Sequence, residues 1–202
     1  MKKLFSIILT FILIFSCLFI RTSAAVLTHT VVKGDSLWKV AVKYQIGLSE
    51  IIAANPQFPN PDLIYPGQKI YIPVLDSTIT SYEQQVIDLV NDIRVRNGIK
   101  KLTANWELSR VARYKSQDMR DNKYFSHTSP VYGSPFEMIK SFGISYRTAG
   151  ENIAQGYKTP DAVVTGWMNS SGHRANILNS SFTQIGVGYV SDGNYWTQMF
   201  IG

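Results

Sequence analysis

The chain has 202 residues, of which 45% are hydrophobic, 17% are charged and 12% are aromatic. This composition is typical of a packed globular protein of one or two domains, and it excludes a disordered or collagen-like chain. The formal net charge is +6, but beyond residue 25 only 17 basic residues oppose 14 acidic ones, an excess too small to indicate nucleic-acid binding.

Residues 1–25 have the pattern of an export signal. Two lysines are followed by an uncharged, mostly apolar run at 4–20, and the small residues Ser23 and Ala25 fit a signal-peptidase site. We expect cleavage after residue 25, so that the chain meets the membrane only transiently during export. Two alternatives stay open: an uncleaved anchor, because the run has the minimum length that spans a bilayer, and lipidation of Cys17. Cys17 is the only cysteine, so the exported part is expected to fold without disulfides.

Residues 28–73 predict a small unit with the order strand, helix, helix, strand. The β-branched residues at 30–32 indicate a strand over 28–33, and the short run 69–72 indicates a second one. Apolar residues at helical spacing predict a first helix over 36–45, capped by Asp35, and a second helix capped by Ser49. We expect Trp38 to belong to the buried stripe of the first helix and His29 to be exposed.

The same residues carry a family resemblance. The segments 29–41, 55–56 and 63–73 closely resemble a LysM module, and the likeness covers essentially the whole unit. The resemblance implies binding of N-acetylglucosamine-containing glycans, chiefly peptidoglycan or chitin, in a shallow groove. Leu37 and Ile64 would offer apolar contact to the acetamido methyl group. The implied groove is lined by two short loops: Gly34, Asp35, Ser36, Leu37, Pro61, Asp62, Leu63 and Ile64.

Residues 74–81 are interpreted as a linker, and the pattern then changes to a second domain over 82–202. An amphipathic helix ending at Asn97-Gly98 comes first, and Asn105 can cap a second helix. Residues 134–137, Ser-Pro-Phe-Glu, are a capping box, and a fourth helix is predicted to open at 159–161. Apolar strands are predicted over 184–190 and 195–201. The fold class is therefore expected to be α+β. The stripe of the second helix comprises Leu108, Val111, Ala112, Lys115 and Met119.

Two histidines and one glutamate stand out in this second domain. His127 follows a predicted helix, Glu151 lies between a glycine and an asparagine, and His173 follows Gly172. Their spacing alone indicates nothing, because an isolated histidine is more often a structural residue than a catalyst. Without cysteine, a metal site here would have to use histidine and carboxylate ligands.

The second domain resembles the bacterial branch of the CAP superfamily, which includes cysteine-rich secretory proteins. The segments that carry the likeness are 91–94, 125–127, 150–153, 167, 172–178 and 185–188. The resemblance implies an α-β-α sandwich whose cleft holds two His and two Glu that can bind zinc or another divalent metal. His127, Glu151 and His173 match three of these groups. Ser170 stands where the second Glu is expected, which weakens the catalytic interpretation because a general base is missing.

Together the patterns predict an exported, cell-wall-associated bacterial protein. Its LysM module would bind peptidoglycan and present a CAP domain with a binding or regulatory role. The LysM segment also resembles those of spore-coat and cortex proteins, which allows a role in the spore envelope and spore-coat partners. The alternative is a metal-dependent hydrolase that acts on wall glycan, peptide or protein, with His127, Glu151 and His173 as its catalytic candidates. Lipid carriage would rest on analogy of fold alone.

Overall fold

The computed structural model describes residues 27–202, so the predicted export signal lies outside the described residues. The first unit consists of two antiparallel strands and two helices between them, and Thr28 pairs with Tyr71. This is the predicted order of elements, although each strand is shorter than the sequence indicates. The elements are β1 (Thr28–Thr30), α1 (Leu37–Tyr44), α2 (Leu48–Ala54) and β2 (Lys69–Tyr71).

One apolar cluster holds the first unit together, and its members include Leu37, Val40 and Ala41 of α1. Trp38 was expected to join them, and this prediction is wrong, because its side chain is 61% exposed. Successive helical residues turn by 100°, so the residue after Leu37 lies on the flank of the stripe and not within it.

The polar residues around α1 and α2 also differ from prediction. Ser36, and not Asp35, caps α1, because its side chain accepts a hydrogen bond from the backbone of Lys39. Asp35 instead accepts bonds from the His29 ring, at 2.8 Å, and from a backbone N–H. His29 is therefore buried, at 8% exposure, and was wrongly expected to be exposed. At α2 the cap position is occupied by Gly47, and the predicted cap Ser49 lies inside the helix.

The segment predicted as a linker is largely helical. Helix α3 (Ser77–Arg96) begins within the predicted range 74–81, because Asp76 accepts a hydrogen bond from the backbone N–H of Thr78 and caps the helix. Only residues 74–76 separate the first unit from this helix. The two units are therefore connected by a shorter segment than the sequence indicates.

The second unit is built around a four-stranded sheet in the order β3-β5-β6-β4, with β4 at one edge. Strands β4, β5 and β6 are antiparallel neighbours, while β3 pairs in parallel with β5. The predicted helices and both predicted strands are confirmed, including the capping box of α5; α7, β3 and β4 were not predicted. The elements after α3 are β3 (Thr103–Ala104), α4 (Trp106–Asp121), α5 (Pro135–Ser141), β4 (Ala149–Gln155), α6 (Pro160–Asn169), α7 (Ser171–Ile177), β5 (Gln184–Val190) and β6 (Tyr195–Ile201).

Helices cover both faces of this sheet. One apolar cluster joins the sheet to α3, α6 and α7, and the other joins it to α4 and α5. The arrangement is an α-β-α sandwich, so the predicted α+β class is confirmed. Helix α4 approaches β5 so closely that a Cβ atom at Gly188 would lie 2.1 Å from the backbone nitrogen of Arg113. Glycine is therefore required there for packing.

A buried arginine fixes the position of α7. Arg94 of α3 is 1% exposed and donates hydrogen bonds to four backbone carbonyl groups, those of Lys100, Ile177, Asn179 and Phe182. These bonds join the end of α3 to the segment between α7 and β5. They replace the water that would otherwise solvate the guanidinium group.

The two units touch through one ion pair. Arg110 of α4 donates two hydrogen bonds to the carboxylate of Glu50 in α2, at 2.6 and 2.9 Å, and Tyr114 and Ser49 join the contact. Burial alone would raise the pKa of Glu50, but the hydrogen bonds from Arg110 and Ser49 outweigh it and lower the pKa below its ordinary value. Throughout the part of the chain that the structure describes, no helix is long and apolar enough to cross a bilayer.

Candidate functional site

His127 and Glu151 are in direct contact although 24 residues separate them. The Nδ1 atom of His127 lies 2.7 Å from Oε1 of Glu151. The side chain of Glu151 is 1% exposed and that of His127 is 52% exposed. Glu151 lies on the edge strand β4 opposite Met199, and His127 lies in the segment that follows α4. The contact therefore presents an accessible imidazole backed by a buried carboxylate.

One oxygen of this carboxylate has no partner. Among residues 27–202, the buried side-chain atoms without a hydrogen bond are Oε2 of Glu151 and Nε2 of Gln198. A buried oxygen that lacks a donor is unfavourable, because it has lost water and gained nothing in exchange. Oε2 of Glu151 is thus the atom at which the site is incomplete.

A buried lysine lies beneath His127. Lys115 of α4 is 0% exposed and donates hydrogen bonds to the hydroxyl of Tyr124, at 3.0 Å, and to the backbone carbonyl of His127, at 2.8 Å. The Tyr124 hydroxyl in turn donates to Asp118, which also accepts a bond from Ser129. Burial lowers the pKa of the Lys115 amine, and the negative charges of Glu151 and Asp118 oppose this effect.

His173 approaches the pair from α7, on the other side of the edge strand. Asn152 donates to its backbone carbonyl, at 3.1 Å, and Asn176 donates to the backbone carbonyl of Glu151. Burial and, to a smaller extent, the neighbouring His127 lower the pKa of His173. The structure thus joins His127 to Glu151 through their side chains and connects His173 to β4 through the bond from Asn152 to its backbone carbonyl.

The arrangement of these side chains does not match a metal centre. Histidine and glutamate are suitable zinc ligands, but within the described range 27–202 no group of three or more His, Cys, Asp or Glu side chains is placed to hold a metal ion. His127 and Glu151 each use one ligand atom on the other. Ser170, at the position of the expected second Glu, joins α6 to α7 and offers no carboxylate.

The predicted glycan groove consists of two polar turns of the first unit. Gly34 has a positive φ of 95°, and its carbonyl accepts a bond from the Lys39 amine, while Asp62 donates its N–H to the side chain of Asn60. Both turns are thus held by local hydrogen bonds, which leaves their outer surfaces open to solvent.

Three groove residues differ in what they can offer a ligand. The side chain of Leu37 is 3% exposed and belongs to the apolar cluster, which corrects the predicted contact between Leu37 and a ligand methyl group. Ile64 packs partly against that cluster, and Leu63 is 55% exposed. Asp35 has one oxygen occupied by His29. The groove as a whole stays a prediction.

Lys115 is the residue of the site that sequence reasoning missed. It was identified as a member of the apolar stripe of α4, between Ala112 and Met119. A charged residue at a core position is a signal in itself, because a lysine is almost never fully buried without partners. A lysine on an apolar helical stripe therefore predicts that polar partners are buried with it.

Comparison with known families accounts for both units. The model of the CAP family, described as the cysteine-rich secretory protein family, matches residues 87–200, more than half of the chain, and the LysM model matches residues 29–73. The chain is 61% identical over 126 residues to the uncharacterized protein YkwD of Bacillus subtilis, which covers 62% of the chain and 49% of that relative.

Two further proteins are similar to parts of the chain. A spore coat assembly protein of Bacillus cereus, ExsA, is 51% identical over 45 residues, 22% of the chain and 7% of that relative. A crystal structure of an extracellular Bacillus anthracis protein containing a SCP domain shares 38% identity and a TM-score of 0.59, over 67% of this chain and 47% of that one. The chain spans about half, or less, of the length of each of these proteins.

Proposed function

The chain belongs to the cysteine-rich secretory protein (CAP) family and carries a LysM domain, and from this premise we propose that it is a secreted protein that binds bacterial peptidoglycan. The observation that carries the proposal is the LysM match over residues 29–73. N-acetylglucosamine-containing glycans are the expected ligand. The two polar turns at 34–37 and 61–64 would supply backbone groups and short side chains to the acetamido groups.

The CAP domain is proposed to act by binding or regulation at the wall. It offers the exposed imidazole of His127, the half-buried His173 and the buried carboxylate of Glu151. A hydrolase that activates water also needs a general base near the reacting atoms. Ser170 stands where the family supplies its second carboxylate, and a hydroxyl cannot accept a proton at neutral pH as a carboxylate does.

The second candidate function is a metal-dependent hydrolase acting on wall glycan, peptide or protein. The unpartnered Oε2 of Glu151 favours it, because a buried carboxylate oxygen without a donor could accept a cation. Zinc or another divalent metal therefore stays a prediction for His127, Glu151 and His173. The arrangement of these side chains does not fit such an ion, so no reaction step is derived through it.

The location of the protein is proposed from its relatives and its amino terminus. An extracellular protein carries the similar SCP domain, and a spore coat assembly protein carries a similar LysM segment. Together with the predicted export signal at 1–25, these support a secreted protein of the cell wall or the spore envelope. Spore-coat proteins would then be partners in addition to the glycan.

Sedimentation with insoluble peptidoglycan tests the LysM proposal. The fragment 27–75, whose apolar cluster is self-contained, should pellet with the glycan, and a fragment 77–202 should pellet far less. One small site makes few contacts, so the dissociation constant is expected in the micromolar to millimolar range. The double substitution Asp62→Ala and Ile64→Ala should reduce pelleting while the circular dichroism spectrum is unchanged.

A matched control variant tests whether the loss of pelleting is specific to the groove. In the full chain, Asp192→Ala with Val95→Ala removes one carboxylate and one apolar side chain from exposed positions of the CAP domain. Pelleting should stay at the parental level. Unchanged binding by the Asp62 and Ile64 variant would instead show that the groove lies elsewhere on the domain.

Release of soluble wall fragments separates the two functions. The binding proposal expects no muropeptide release from isolated wall with or without added zinc. Zinc-dependent release that disappears in Glu151→Gln would establish a hydrolase and overturn the binding interpretation of the CAP domain.

A further inference from the structure

The core of the CAP domain contains one lysine whose role is not explained by packing. Lys115 lies on the buried stripe of α4, and its ammonium group has three protons. Two are donated to the Tyr124 hydroxyl and the His127 carbonyl. A methionine or leucine would fill the same space at lower cost, because burying a charge is unfavourable unless it is compensated. The ammonium group is therefore expected to compensate a specific negative charge.

Two carboxylates, those of Asp118 and Glu151, act on this ammonium group through their charge. Asp118 is already satisfied, because it accepts hydrogen bonds from Tyr124, Ser129 and Asn122. Glu151 has one oxygen bonded to His127 and the other without a partner. The negative charges of both carboxylates act on Lys115. Of the two, Glu151 is the one with a buried carboxylate oxygen that no hydrogen-bond donor satisfies.

We propose that the ammonium group of Lys115 is the cation that balances the buried carboxylate of Glu151, since both groups contact His127, the first at its backbone carbonyl and the second at its ring. The lysine also holds the His127 segment through its bond to the backbone carbonyl. Lys115 is thus a positioning residue, which acts on a ligand through His127 and Glu151. The inference concerns only the CAP domain and is independent of glycan binding by the LysM domain.

A metal ion and a buried ammonium group exclude each other at this site. Both are positive, and their repulsion acts through a protein interior that screens it less than water does. The fixed cation also removes part of the charge that would attract zinc.

Zinc titration by calorimetry tests the proposal directly. The full chain should show no saturable zinc binding that depends on His127 and His173. Lys115→Met, which keeps the volume and removes the charge, should show saturable zinc binding, with an affinity at least about tenfold above the weakest that the titration detects. Lys101→Met, at an exposed lysine of the same domain, should behave as the parent. A purely structural role for Lys115 would not produce this gain.

If the parent chain binds zinc and both His127→Ala and His173→Ala abolish this binding, the proposal is overturned. This result does not depend on whether the lysine variant folds. An unchanged zinc affinity in folded Lys115→Met also overturns it. If Lys115→Met does not fold, Lys115→Gln takes its place in the same titration.

A double-substitution cycle in the presence of a chelator supplies a readout without metal. Glu151→Gln and the lysine variant should each lower the melting temperature, and the double variant should lose less than the sum of the two. Additive losses would show that the two charges are not coupled. A failure of both lysine variants to fold even with Glu151→Gln would likewise overturn the proposal, because the cation would then serve another purpose.

Discussion

The LysM domain and the CAP domain hold their candidate binding residues in different ways. In the LysM domain the residues are contiguous, at 34–37 and 61–64, and bonds to near neighbours in sequence fix the turns. In the CAP domain His127, Glu151 and His173 come from three distant segments. Their positions depend on α4, β4 and α7 packing against one another. The first site should therefore respond to local substitutions, and the second to changes far away.

The largest loss of stability should follow from a substitution that forces α4 and β5 apart. Gly188→Val places a Cβ atom 2.1 Å from the Arg113 backbone nitrogen and 2.2 Å from the Ala112 carbonyl carbon. Backbone atoms cannot move without moving the whole helix, so we expect a loss of about 3 kcal/mol or more in the free energy of unfolding of the CAP domain. Urea unfolding monitored by circular dichroism measures it.

Peptidoglycan pelleting by the same variant should persist, because the LysM cluster contains no CAP residue. Gly172→Ala is the control, since a Cβ there meets no atom within 4 Å. It should leave stability unchanged or raise it slightly. A loss of glycan binding in Gly188→Val would mean that the two domains fold as one unit.

Within the LysM domain, substitutions of two adjacent residues should change the free energy of unfolding by very different amounts. Leu37→Ala removes a side chain that is 3% exposed and should cost about 2–4 kcal/mol in the free energy of unfolding. Trp38→Ala removes a larger side chain that is 61% exposed and should change stability by about 0.5 kcal/mol or less. Thermal unfolding of the fragment 27–75 measures both. Equal losses would show that α1 is rotated from the orientation described above.

The smallest change in free energy should come from loss of the ion pair between the domains. The pKa of Glu50 is below its ordinary value of 4.5, so the ion pair with Arg110 is complete above pH 4.5 and is lost as the pH falls through the lowered pKa. We expect a contribution of about 1 kcal/mol to docking. The radius of gyration from small-angle scattering should rise in this acidic range in the parent.

Glu50→Gln should give the larger radius at neutral pH and no acidic step. Asp121→Asn is the matched control, because Asp121 pairs with Arg120 inside the CAP domain. Its profile should follow that of the parent. An acidic step that survives in Glu50→Gln would assign the change to another group.

The fold was predicted best where the deciding interactions are local. The cap Asn105, the capping box at 134–137 and the strands at 184–190 and 195–201 appear as the sequence indicates. Capping and alternation involve residues a few positions apart, so the sequence displays them directly. Strand β4 was missed because its glycine and polar residues carry no strand pattern; the sheet buries them.

The errors in the LysM domain have two physical causes. Asp35 and His29 were interpreted separately, yet they bond to each other across a turn, which buries the histidine and removes the aspartate from the cap. Trp38 is predicted to belong to the buried stripe of α1, although its position in the helical period places it outside that stripe. Small domains have little interior, so one or two such pairings change which residues are buried.

The candidate site in the CAP domain could be predicted only in part from the sequence. Spacing gave no reason for His127 and Glu151 to meet, and the family resemblance supplied the hypothesis of a shared cleft. The contact between them follows from a strand pairing that the sequence does not reveal. The sequence shows Lys115 as a charged residue on an apolar stripe, but its hydrogen-bond partners come from the segment 124–127, which the stripe does not identify.

The short connection at 74–76 has a consequence for how the chain would explore a surface. Three residues span about 10 Å when fully extended, and the Glu50–Arg110 pair holds the domains together. A protein fixed to a polymer by such a joint cannot swing its second domain over distant strands, as a long flexible tether would allow. It would reach a new region of the polymer only by dissociating and binding again. The rate at which it would reach new regions is then set by the lifetime of a single weak glycan contact. Weaker binding by the LysM domain would make this exchange between sites faster.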